Sequence, residues 1–147
     1  MFELIKNLIT SSTFLTIISG VFVFVLSQLF NEYYLKPIHE YKKLRAKISY
    51  SLILYANLYI NPVETKNITE DVKVASYEMR KLAAEVNSMI EIRPSICPNI
   101  PKKSVLYDVS KNLIGISNGF CFKDKCNPGR DNKVLRDEIQ SLLKMRK

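Results

Sequence analysis

The sequence is short of the residues that most enzymes depend on. It has one histidine, His39, and only four glycines in 147 residues. A Gly-rich phosphate loop, a nucleophile elbow and paired metal-ligand spacing are all missing. His39 lies beside a run of lysines, where a solvent-exposed imidazole is a simpler reading than a general base. Cys97, Cys121 and Cys126 have no convincing fourth ligand for zinc, and in a reducing compartment they remain thiols. A Cys121–Cys126 disulfide would fit only a domain outside the cell. No window alternates apolar and polar residues at strand period, and there is no internal repeat or low-complexity tract. The inventory predicts no enzyme, no catalytic residue, no cofactor and no metal.

What the chain does have is a long apolar run. Between Lys6 and Glu32 there are 25 residues without a charge. As a helix they reach roughly 37 Å, enough to cross a hydrocarbon core of about 30 Å. Thr13 to Phe30 is therefore expected to be a transmembrane helix. At about 100° per residue, Ser12, Thr16, Ser19, Val23 and Ser27 share one arc, with Gly20 at its edge. The remainder, including Phe14, Ile18, Phe22 and Leu29, is bulky and apolar. Lipid gives helices no hydrophobic reason to associate, so small and hydroxylated faces are where they meet. This face predicts a homo-oligomer, or else hydroxyls bonded to carbonyls of their own preceding turn.

Charge sets the expected orientation. The net charge is +8, with 22 Lys and Arg against 14 Asp and Glu. Lys36, Lys42, Lys43, Arg45 and Lys47 follow the apolar run closely, whereas only Lys6 precedes it. The positive flank stays cytoplasmic, which predicts a single-pass protein of the bacterial inner membrane, N-terminus outside and C-terminal domain inside. A cleaved signal peptide fits poorly, because Glu3 interrupts the basic end and no small-x-small site follows.

Three regions are expected: a lead and membrane helix at 1–31, a juxtamembrane helix or stalk at 32–60, and a helical bundle at 61–147. The lead is either a separate interfacial helix or an extension of the span. Pro37 either kinks the emerging helix or opens a new one. Ile38, Tyr41, Ile48, Leu52, Tyr55 and Tyr59 recur at helical steps if Arg45 takes one inner position, and Asn61-Pro62 ends the run. Thr69 is a candidate N-cap for a helix with Val72, Ala75, Met79, Leu82, Val86 and Met89 inward, stopping before Pro94. Pro101 can open the next helix, whose inner face is Val105, Leu106, Val109, Leu113 and Ile116, with Asn118-Gly119 as a left-handed stop. Asp131 caps a last helix facing Val134, Leu135, Ile139, Leu142 and Leu143 inward. The fold class is all-α: one transmembrane helix and a small cytosolic bundle of about four helices.

Residues 35 to 120 also resemble a family of small bacterial single-pass membrane proteins. The matching segments are Leu35 to Lys43 (LKPIHEYKK), Tyr55-Ala56-Asn57, Ala75-Ser76, Met79 to Ala84 (MRKLAA) and Ser110 to Phe120 (SKNLIGISNGF). Some proteins of this kind resemble the membrane effectors of the Hailong phage-defence system, in which a partner nucleotidyltransferase makes short DNA oligomers that hold an oligomeric channel closed. The resemblance implies an ion-channel-like homo-oligomer, a homotetramer in its favoured form, with an antiviral role and a short single-stranded DNA or nucleotide ligand. On that reading Ser12, Thr16, Ser19 and Ser27 line or flank the pore and Val23 or Phe30 constricts it. An anionic ligand would meet Lys102, Lys103, Lys111, Lys123, Lys125, Arg130, Lys133 and Arg136, with Arg80 and Arg93 forking onto phosphate or stacking on a base. Alternatively these cations serve topology and lipid attraction. The protein would then be a membrane-tethered adaptor whose Met79, Leu82, Val86 and Met89 face binds a partner helix.

Overall fold

The computed structural model describes residues 12–94, 97, 99–122 and 129–145. The Met1–Ser11 lead, Lys123, Lys125 and Cys126 lie outside them. The fold is mostly helical and begins with one continuous 43-residue helix, Ser12–Leu54. Its first part, α1 (Ser12–Phe30), buries none of its residues and is long and apolar enough to cross a membrane. The second part, α2 (Lys36–Leu54), is amphipathic and buries Tyr41, Leu44, Ile48 and Leu52.

A π-helical turn, Asn31–Leu35, joins the two parts, with the Lys36 N–H donating to Asn31 O. Pro37 follows in the first turn of α2. A proline has no N–H to give the carbonyl four residues back, and its ring crowds that carbonyl. One wide turn opens the needed room without breaking the helix. Across it Phe30 stacks on Tyr34 at 5.5 Å and Lys36 donates to Glu32 at 2.6 Å.

After Tyr55 the chain makes a short helix, α3 (Ala56–Ile60), then β1 (Val63–Glu64) and a single 3-10 turn, Thr65–Asn67. The bundle's main members are α4 (Glu70–Ile92), α5 (Lys103–Asn118) and α6 (Gly129–Leu142). Ser76 meets Ser117 while Ser110 Oγ donates to Ala83 O at 3.1 Å, so α4 and α5 run antiparallel. The inner face expected of α4 is buried in full: Val72, Ala75, Met79, Leu82, Val86 and Met89. On α5 Leu106, Val109, Leu113 and Ile116 are buried as well. Together with the α2 face they form one core that reaches from Tyr41 to Leu143. Each large aliphatic side chain so buried contributes about 1.5–3 kcal/mol relative to exposure.

Several local expectations are corrected. Leu44, not Arg45, fills the inner position of α2, and Arg45 Nη2 instead donates to Lys144 O at 2.8 Å. Lys103 rather than Pro101 opens α5, with Lys102 as the residue ahead of its first turn. Asp131 lies within the first turn of α6 instead of capping it, and Val134 is 60% exposed. Gly119 is not left-handed: its φ is −85°. Glycine is required there because a Cβ would overlap the side-chain amide of Asn132. That buried amide donates to Tyr59 O at 2.9 Å and Gly119 O at 2.7 Å, tying α3 and α6 to the end of α5. Cys121–Phe122 forms β2, a two-residue parallel pairing with β1 that no alternation in sequence announces.

Candidate functional site

Two surfaces gather the residues singled out in the sequence. The first is the hydroxylated stripe of α1, where Ser12, Thr16, Ser19, Gly20, Val23 and Ser27 are all exposed. Three of the hydroxyls have acceptors within the helix: Thr16 Oγ1 donates to Ser12 O at 2.8 Å, Ser19 Oγ to Thr16 O at 2.9 Å and Ser27 Oγ to Val23 O at 2.8 Å. Such bonds remove the cost of placing a hydroxyl in lipid and leave the oxygen lone pairs outward. A Cβ on Gly20 would meet nothing within 4 Å, so within the described residues the space beside this glycine is open.

The second surface lies along α4 and α5. Arg80 is held by Ser117 Oγ, which accepts from Nε at 3.0 Å, and by Asn118 Oδ1, which accepts from Nη2 at 3.0 Å. Ser117 is fixed in turn by donating to Ser76 O at 2.9 Å. The guanidinium is thereby oriented at the surface with donors to spare, since it carries five N–H groups. It borders a shallow groove of about 450 Å³ floored by Ala83 and Ala84 and flanked by Asn87, Ile114 and Asn118. On α5 the spacing places Lys103, Tyr107, Lys111, Ile114 and Asn118 on one arc. Lys103 and Lys111 are exposed, and Tyr107 between them is 63% exposed. A cation, an aromatic face, a second cation and an oriented guanidinium make a surface suited to phosphates and a stacked base.

The other cations are distributed differently. Arg93 donates to the carbonyls of Pro101 (2.8 Å), Pro94 (3.1 Å), Cys97 and Ile100 (3.4 Å each), so its side chain folds the loop between α4 and α5. Lys102 is exposed just ahead of α5, and Arg130 and Lys133 are exposed on the first turns of α6. Arg136 pairs with Asp137 at 2.6 Å, a hydrogen bond that pushes its pKa up. Lys36 is likewise held above the ordinary lysine range, first by its hydrogen bond to Glu32 and then by that carboxylate's charge.

Tyr107 and Asn118 were missed as site residues. The signal was present as the i, i+4 repeat of Lys103, Tyr107 and Lys111, but an exposed tyrosine looks like any other residue until the inner face of its helix is known. Among the described residues no three His, Cys, Asp or Glu side chains gather as metal ligands. Cys97 is buried and Cys121 half-buried, both as thiols. No protein family, no curated protein and no solved structure matches the chain.

Proposed function

We propose that the protein is an oligomeric, single-pass membrane effector of anti-phage defence, in which α1 contributes to an ion-channel-like pore and the helical bundle binds an anionic oligonucleotide that sets its state. The observation that carries this reading is the continuity of one helix: an apolar segment with no buried residue runs through a π turn into the amphipathic helix that forms part of the core. A ligand that alters the bundle therefore acts on the membrane segment through unbroken helix. It biases the pore only so far as it binds one state better. Lys103, Lys111 and Arg80 provide the phosphate contacts, and Tyr107 offers a stacking face. The basic flank after α1 supports a cytoplasmic bundle. A partner nucleotidyltransferase is the expected source of the ligand, by the resemblance given above.

The test is ion flux from liposomes containing the full chain, with and without short single-stranded DNA, alongside binding measured across a salt series. The reading expects flux that changes with the oligonucleotide and affinity that falls as salt rises. Absence of flux in both conditions, with binding absent or indifferent to salt, overturns it.

A second reading has its own support. Because the hydroxyls of Thr16, Ser19 and Ser27 are satisfied on their own helix, α1 needs no second copy to bury them. In that case the protein is an adaptor that tethers the bundle to the membrane. An adaptor leaves the membrane potential of expressing cells intact, whereas an unrestrained channel collapses it.

A further inference from the structure

An apolar cleft of about 890 Å³ opens where α1 reaches the bundle. Its wall is one stripe of the long helix, running through Leu26, Leu29, Phe30 and Tyr33 down to Glu40, and its floor is Ile92 at the end of α4 with Pro94 beyond it. From Leu26 to Glu40 the stripe is about 21 Å long, since each residue rises about 1.5 Å. One leaflet of a bilayer with its headgroup layer has nearly the same depth, about 20–22 Å. The charges gather at the lower part of the stripe. Glu32 and Glu40 flank Lys36, with Glu32 accepting from the Lys36 ammonium at 2.6 Å and Glu40 acting on the same ammonium by its charge. Two carboxylates and one ammonium leave that end with a single negative charge, in contrast to the lysine cluster that follows from Lys42.

We propose that this cleft is a binding site for one phospholipid with a zwitterionic, primary-amine headgroup, a phosphatidylethanolamine, whose acyl chain lies along Leu26 and Leu29 while Lys36 meets its phosphate and Glu40 its ammonium. The proposal rests on α1 being a membrane span and is independent of whether that span lines a pore. Charge complementarity selects the headgroup. A primary ammonium donates N–H bonds to a carboxylate, a quaternary choline has none to give, and a neutral glycerol headgroup leaves the phosphate charge without a cation to meet Glu40. Tyr33 and Tyr34 stand at the depth where a ring meets hydrocarbon on one side and headgroup on the other.

The chain contains no tryptophan, so F30W supplies a single indole in the wall of the cleft, excited selectively above the tyrosine absorption. Its quenching is compared in bilayers of one bulk composition doped with brominated phosphatidylethanolamine, phosphatidylcholine or phosphatidylglycerol. Preferential quenching by the ethanolamine lipid is expected, about threefold in relative affinity, as befits one screened ion pair. Glu40→Gln should remove the preference and Glu138→Gln, an exposed carboxylate on α6, should keep it. Native mass spectrometry of the unaltered chain in mixed micelles provides a second readout free of the substitution, with ethanolamine lipid retained over the others. Equal quenching and equal retention for all three lipids overturn the site and leave ordinary lipid contact. Weak quenching by every lipid, with cross-linking between copies through Leu29→Cys, overturns it in favour of a second subunit in the cleft. A protein that never enters the bilayer overturns the membrane reading itself.

Discussion

The two halves of the 43-residue helix obey opposite rules. In α2 Tyr41, Leu44, Ile48 and Leu52 form a buried stripe, while Tyr50, Ile53 and Leu54 stay exposed. In α1 apolar residues cover most of the circumference and none is buried. A soluble domain buries the stripe it has; an all-round apolar helix needs an apolar solvent or many neighbours. The change from one rule to the other falls on the π turn, so Asn31–Leu35 divides the molecule chemically as well as geometrically.

The largest expected effect sharpens this contrast. Met79 is fully buried and Phe22 is 62% exposed. Met79→Ala should destabilise the bundle by about 3 kcal/mol, within the usual range for core truncation, while Phe22→Ala should change it by less than about 0.5 kcal/mol. Denaturant unfolding in detergent, followed by circular dichroism, gives both numbers. Equal losses would mean that α1 packs on the bundle.

The next tests the end of α5. Gly119→Ala should cost roughly 2–3 kcal/mol, because the added methyl displaces a buried amide from two carbonyl acceptors. Combined with Asn132→Ala it should cost less than the sum of the two, which a double-mutant cycle measures.

A smaller effect comes from Tyr59, whose hydroxyl donates to Leu52 O at 2.7 Å in the core. Tyr59→Phe should lose about 1 kcal/mol at neutral pH. Burial pushes the pKa values of Tyr59 and Tyr41 up, so the folded state favours their protonated forms. Their contribution is therefore complete below the unfolded tyrosine pKa of about 10 and is lost as pH rises through the higher folded values. Unfolding midpoints measured above about pH 10 should fall, and less steeply in Tyr59→Phe.

The smallest concerns α1 alone. Ser19→Ala should alter unfolding by less than about 0.5 kcal/mol, since the hydroxyl bonds a carbonyl of its own helix. Ser19→Leu, by contrast, should lower the mass of the oligomer seen by light scattering if this face joins copies of the chain. An unchanged mass would favour the adaptor.

Elements with a regular period were legible in the sequence. The spacing of Val72 to Met89 matched the buried face of α4 apart from Ala83, because local helical geometry alone decides which side chains share a side. Features set by distant contacts were not legible. Leu44 displaces Arg45 from the core, Val134 faces outward and β1 finds β2 because of what packs against them, 99 residues away in the case of Arg45 and Lys144. At the candidate site, the sequence supplied Arg80, Lys103 and Lys111 as cations. It was silent on the carbonyls that engage Arg93 and on Tyr107 standing between the two lysines.

Whether α1 resides in a bilayer is tested most directly by alkaline carbonate extraction of membranes from cells that express the full chain. The account predicts that the intact protein stays in the membrane pellet after extraction. Its release into the supernatant as a folded, water-soluble chain would contradict the division of the long helix at the π turn into a lipid-facing part and a core-forming part.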